Sequence, residues 1–142
     1  MTVASDPRRE PRRARDLFVH ERWRLLWRIV FPVLLATGAW LAFRDPGQGP
    51  GIPHLDKVLH LGAFASLAVV GTLGWPATRT TRFGVALFLF GYGLWIEWVQ
   101  SGLPQRQADA FDLAANTVGI ALGLITWHLI AAWARRAPAG RL

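Results

Sequence analysis

The chain has no cysteine, and its 142 residues include one methionine, one tyrosine and a single lysine, Lys57. Without cysteine there are no disulfides, no thiolate metal ligands and no cysteine nucleophile, so thiol redox chemistry is excluded. Acid is scarce too: nine Asp and Glu stand against sixteen Lys and Arg, for a formal net charge of +7. Charged residues make up 18% of the chain against 52% hydrophobic ones, and eight are Trp. A chain this short and apolar has no room for several soluble domains and reads as one membrane domain. Catalytic signatures are missing as well, since no G-x-S-x-G, P-loop, dinucleotide fingerprint or H-E-x-x-H occurs. His20-Glu21 starts like the last of these, but position 24 is Arg.

The positive charge is unevenly spread. Arg8, Arg9, Arg12, Arg13, Arg15, Arg22, Arg24 and Arg28 hold half of it and abut an apolar segment. Basic residues beside a membrane span set its orientation and meet anionic lipid, so this block is read that way and not as a nucleic-acid site. No nucleic-acid partner is expected. The first residues, to about 20, read as a mobile arm.

Four apolar windows follow: Leu25 to Phe43, Val58 to Trp75, Phe83 to Leu103 and Leu113 to Ala134. Each is long enough to cross a hydrocarbon core of about 30 Å as a helix. Backbone groups in lipid need internal partners, and no alternating pattern suggests a barrel. The expected fold is all-α, a four-helix transmembrane bundle with short loops, broken by Asp45 to Pro53, Pro76 and Pro104. The first span resembles a signal sequence in length, but no clean small-x-small cleavage site follows it.

Thirteen basic residues fall in the N-terminus, second loop and C-terminus, against three in the first and third loops. Both termini are therefore expected to be cytoplasmic. Trp23, Trp27, Trp75 and Trp133 then mark the inner ends and Trp40, Trp95 and Trp98 the outer ends, with Trp127 outside either belt. The organisation expected is an Arg-rich cytoplasmic arm over residues 1–24, a four-span domain over 25–134 and a short basic tail over 135–142. A multi-pass protein of the inner, cytoplasmic membrane is the expected localisation, with membrane lipids as partners.

Within this apolar sequence lies the string Glu97-x2-Gln100-x5-Arg106-x2-Asp109-x2-Asp112-x3-Asn116. Ionisable groups in membrane spans are costly to hold and are read as functional by default. The expected topology gathers them, with Asp56, Lys57 and His60, at the extracytoplasmic ends of three helices. Asp56 and His60, Glu97 and Gln100, and Asp112 and Asn116 are spaced to share helix faces, so one pocket is expected. Glu97 should lie roughly 9 Å below its helix end at the standard rise. In the last span Ala115, Gly119 and Gly123 recur every four residues, the mark of close helix packing.

These residues resemble the VanZ-like family of small bacterial membrane proteins. The resemblance rests on Asp56-Lys57-x2-His60, the string above, and Asn116-x2-Gly119-x3-Gly123, and runs from about Pro53 to Gly123. It leaves the Arg-rich arm outside. It implies a multi-span envelope protein linked, in the family's namesake, to low-level teicoplanin resistance, with no established catalytic mechanism.

Each polar residue has a plain reading beside a functional one. Glu97 either pairs with Arg106, Lys57 or His60, or serves a site that binds or moves charge. His60 either ties two helices or titrates near neutral pH. Arg106, helped by Lys57, suits an anion such as phosphate or carboxylate, or else neutralises Asp56, Asp109 and Asp112. Asp109 and Asp112 also suit the N-terminus of the last helix. A metal held by His60, Glu97, Asp109 and Asp112 is chemically allowed, but without a compact ligand motif no metal and no cofactor is expected. The leading expectation is a non-catalytic protein recognising a lipid head group, cell-wall precursor or glycopeptide. The alternatives are an enzyme on a lipid-linked substrate, with Glu97 or Asp112 as base, and a small proton-coupled exporter.

Overall fold

The structure is a computed structural model that describes residues 21–44, 54–104 and 109–136. The Arg-rich arm up to residue 20, the first loop, Arg106 and the last residues of the basic tail lie outside them. Four helices and no strand occur among the described residues: α1 (Glu21–Phe43), α2 (Leu55–Leu73), α3 (Arg79–Ser101) and α4 (Ala110–Arg136). Each covers most or all of one apolar window, with α2 and α3 ending two residues short of theirs, but starts about a turn before it. The reason is that helices begin at caps and not at their first apolar residue. The Thr78 hydroxyl accepts the Thr81 N–H at 3.0 Å to open α3, and the Asp109 carboxylate accepts the Phe111 N–H at 2.8 Å to open α4.

All four helices are long and apolar enough to cross a membrane, and their outward faces expose Leu25, Val33, Phe83, Trp98, Phe111 and Leu129. An apolar surface of that extent belongs in lipid. The chain is therefore a multi-pass membrane protein.

The best-packed pair is not sequential. Helices α2 and α4 share the most extensive contact in the bundle, and they run parallel because α3 carries the chain back between them. A side chain at Gly119 would strike the Leu61 carbonyl oxygen, and one at Gly123 the Ala65 carbonyl oxygen. Only residues without a Cβ let the two backbones come so close. The four-residue repeat seen in the sequence thus sets the central contact of the bundle.

Below this seam sits a small core of Phe31, Phe64, Leu67, Ala68, Leu89 and Ile120. Phe31 lies against Gly71, where an added Cβ would sit 3.0 Å from its ring. Thr72 is buried beside it, but its hydroxyl turns back to the Ala68 and Val69 carbonyls at 3.0 and 2.8 Å and so is satisfied.

Helix α1 lies on the outside of the bundle and is fastened at three levels. The Arg28 guanidinium donates to the Gly74 carbonyl at 2.9 Å, the Tyr92 hydroxyl to the Leu35 carbonyl at 2.6 Å, and the Gln100 amide to the Ala42 carbonyl at 3.0 Å. In a medium without water these bonds contribute where apolar contact alone gives little preference for helix over lipid.

Candidate functional site

The N-terminal ends of α2 and α4 and the C-terminal end of α3 come together at one end of the bundle. Lys57, in the first turn of α2, is the hub. Its ammonium reaches Asp109 at 2.7 Å, Asp56 at 3.1 Å and Asp112 at 3.2 Å. An ammonium has three N–H donors, and here each has a carboxylate. Lys57 is thus committed to neutralising acids and is not left waiting for an anion.

Asp109 does two things at once. One oxygen caps α4 and the other binds Lys57. The Lys57 ammonium holds its carboxyl below the ordinary carboxylate range. Asp112, one turn further into α4, turns its side chain to Lys57 and leaves the capping to Asp109. Asp56 is the most exposed of the three acids.

One turn deeper the surroundings dry out. His60 Nδ1 lies 2.9 Å from the Asn116 side-chain oxygen, a bond that ties α2 to α4 and is made by the tautomer carrying its proton on Nδ1. Asn116 is almost wholly buried at 1% exposure, and Glu97 and Asp112 are each at 8%. One Glu97 oxygen accepts the Asp109 backbone N–H at 3.2 Å. Its other oxygen, Oε1, is buried with no hydrogen-bond partner among the described residues, as is Asn116 Nδ2. A ligating atom from each of His60, Glu97 and Asp112 falls within 4.8 Å of the others. The cluster therefore holds unspent bonding capacity in a place that water reaches poorly.

Lys57, His60, Glu97, Asp109, Asp112 and Asn116 are brought together, with Asp56 at the rim. Gln100 is not: although buried at 3% exposure, it points across to α1 and fastens that helix. Arg106 lies outside the described residues. Two residues that shape the site were not singled out in the sequence. Gly93 lies one turn before Glu97 on α3, and an added Cβ there would meet Asn116 Nδ2 at 3.2 Å and Phe64 at 3.4 Å. Gly93 makes the space that lets Asn116 sit beneath Glu97, and Phe64 closes the floor. The signal for Gly93 was its four-residue spacing from Glu97, which places both on one face.

A profile of the VanZ/LLP1 family matches residues 12–131. The chain belongs to the VanZ/LLP1 family. The match starts inside the Arg-rich segment and takes in α1, so it extends beyond the stretch from Pro53 to Gly123 that carried the resemblance. The chain is also similar to an uncharacterized protein of the fission yeast Schizosaccharomyces pombe, 34% identical over 98 residues. That alignment takes in 68% of this chain and 59% of the relative's length. No solved structure matches it.

Proposed function

We propose that this VanZ/LLP1 protein binds the polar head group of a membrane amphiphile in the pocket between α2, α3 and α4, at the extracytoplasmic face. The observation that carries the reading is the buried Glu97 carboxylate with one oxygen unbonded. A buried acceptor left unmet costs on the order of 1–3 kcal/mol, more when charged, and a protein with no use for it would be more stable with Gln there. Its place suits an amphiphile, since Glu97 sits one turn from the end of α3, at the depth where head groups meet acyl chains. The excess of basic residues at the opposite ends of the helices supports the outward orientation.

Among the ligands that fit, a phospholipid head group is favoured over a wall precursor or a glycopeptide. The similarity to a fission yeast protein supports this, because phospholipids are common to bacterial and eukaryotic membranes and peptidoglycan is not. Where the ligand is a lipid-linked wall precursor in a bacterial envelope, the same pocket would contribute to teicoplanin-type resistance. A second reading, hydrolysis of a lipid-linked substrate, is favoured by the closeness of His60 to two carboxylates, a set able to move a proton. Export driven by protons fits less well, because α1 carries no acid beyond its first turn.

The test uses full-length protein in detergent and short-chain lipids carrying phosphate, phosphoethanolamine or phosphoglycerol head groups, followed by Trp fluorescence. Saturable binding is expected, lost in Glu97→Gln and Asn116→Leu and kept in Gln100→Leu. Absence of binding to every head group by the stable wild-type protein would overturn the reading. Turnover of any of the lipids would decide for the enzyme.

A further inference from the structure

Lys57 is spent on Asp56, Asp109 and Asp112, and Glu97 adds a fourth carboxylate with no ammonium or guanidinium partner among the described residues. Among the described residues, four carboxylates thus surround one ammonium. Of the four, Glu97 is more than nine-tenths buried and Asp112 has a side chain only 11% exposed, and the two stand close together. Like charges at that distance in a poorly hydrated site repel strongly, and either a proton or a cation between them relieves the repulsion.

We propose that His60, Glu97 and Asp112 hold a divalent transition-metal ion, Zn2+ in the first place, with an open coordination position that takes an anionic oxygen of the head group. Three observations carry this. The ligating atoms lie within 4.8 Å of one another. Ligands bonded at about 2.0–2.2 Å stand about 3 Å apart when adjacent and about 4.2 Å when opposed, so small side-chain rotations close the site. A carboxylate oxygen of Glu97 is one of those clustered atoms, and its Oε1 is buried with no hydrogen-bond partner among the described residues. Its second oxygen accepts the Asp109 N–H at 3.2 Å.

The third observation is His60, whose Nδ1 stands 2.9 Å from Asn116 Oδ1. With the proton on Nδ1, that bond fixes the imidazole and keeps Nε2 for an ion, the arrangement common to metal-binding histidines. Asp112 is likewise oriented from outside, one oxygen accepting from Lys57 at 3.2 Å and the other left to bind. One imidazole and two carboxylates suit Zn2+ and Mn2+ better than Mg2+, which binds imidazole poorly and keeps its waters. Three protein ligands leave a position for a further oxygen, the pattern of sites that take water or substrate.

The ion resolves a difficulty in the head-group reading, on which this part of the proposal rests. A pocket with four carboxylates repels phosphate, whereas the same pocket with a bound dication attracts it. Phosphate is therefore the chemistry expected of the head group, and its source is either a phospholipid or free inorganic phosphate.

The experiment takes full-length protein in detergent, stripped with a chelator, and titrates Zn2+, Mn2+ and Mg2+ with calorimetry and metal analysis. Co2+ is used as a visible-absorption probe of the coordination sphere. One Zn2+ per chain is expected, with Mn2+ weaker and Mg2+ undetected. Glu97→Gln and Asp112→Asn should each weaken Zn2+ binding more than ~100-fold and abolish the Co2+ spectrum. Asn116→Ala, which touches no ligating atom of the ion, should weaken it ~10–100-fold through loss of the His60 bond. Gln100→Leu should change nothing. Because Glu97→Gln keeps the size of the side chain and its acceptor for Asp109, a folded variant is expected, and a melting curve checks it.

Absence of stoichiometric Zn2+ binding, or binding that survives both acid substitutions, would overturn the proposal. Two further arms separate it from the reading beneath it. The Zn2+-loaded protein is titrated with dihexanoyl phosphatidic acid and with inorganic phosphate, the lipid being expected to bind at least ~10-fold tighter. Zinc without lipid binding leaves the metal site standing and removes the head-group reading. Lipid binding of equal strength in stripped protein, with no zinc uptake, removes the metal site and leaves the reading standing.

Discussion

The seam between α2 and α4 has two halves built by opposite means. Toward the middle of the membrane, Gly119 and Gly123 bring the backbones into contact with Leu61 and Ala65, and nothing polar intervenes. Toward one surface the same two helices are joined by side chains: Lys57 to Asp109 and Asp112, and His60 to Asn116. The glycine half is closed and complete. The polar half is not, because Glu97 from α3 enters it, and one Glu97 oxygen and the Asn116 amide nitrogen have no partner among the described residues. A helix pair that needed only to associate would have continued the small-residue pattern to its end. The change of means within one seam marks where the protein departs from packing for its own sake.

Substitution in the glycine half should do the most damage. Gly119→Leu forces a side chain against a carbonyl oxygen that cannot rotate away, and a loss of about 3 kcal/mol or more is expected, seen as loss of folded protein in a detergent melting curve. Gly62→Ala on α2 is the matched control, since nothing lies within 4 Å of the added Cβ. It should be neutral or stabilising by up to about 1 kcal/mol.

Breaking the hub should cost less, because water reaches Lys57 and Asp109. Lys57→Met leaves three carboxylates without their shared cation and should lower the melting temperature. Adding Asp112→Asn should restore part of the loss, whereas it should restore nothing to Gly119→Leu. A double-mutant cycle that gave equal recovery in both backgrounds would erase the distinction between the halves.

A smaller effect is expected from pH. Asp109 is held below the ordinary carboxylate range by Lys57. A lowered value in the folded state means that the stability it confers is fully present above the unfolded value near ~3.9 and is lost as pH falls through the folded value. From this pair the melting temperature should stay level between about pH 5 and 8 and drop below about pH 4. Asp109→Asn should flatten that acid limb, and the change should be modest because the pair is partly exposed.

The two halves were also unequally legible in the sequence. The glycine repeat at 119 and 123, the four apolar windows and the positions of Pro76 and Pro104 report local geometry, so the helices could be read from residue types and spacing. The convergence of Lys57, His60, Glu97, Asp112 and Asn116 could be read as well, because short connections leave few ways to place three helix ends. What each side chain does there could not. Gln100 lies three residues from Glu97 and was expected in the same pocket, but a small rotation about α3 sends it to the Ala42 carbonyl of α1. Lys57 could serve an anion or the neighbouring acids, and only the three distances decide it. Gly93 went unnoticed because a missing side chain gains meaning only from what fills its space.

The most direct test of the central claim, that the polar half is held for a ligand and not for the fold, is the melting temperature of chelator-stripped Glu97→Gln beside that of stripped wild-type protein. A carboxylate kept for binding is a burden when nothing is bound, so the variant should melt higher while losing Zn2+ and lipid binding. A variant that melts several degrees lower would show Glu97 to be a structural tie between α3 and α4, and would contradict the account.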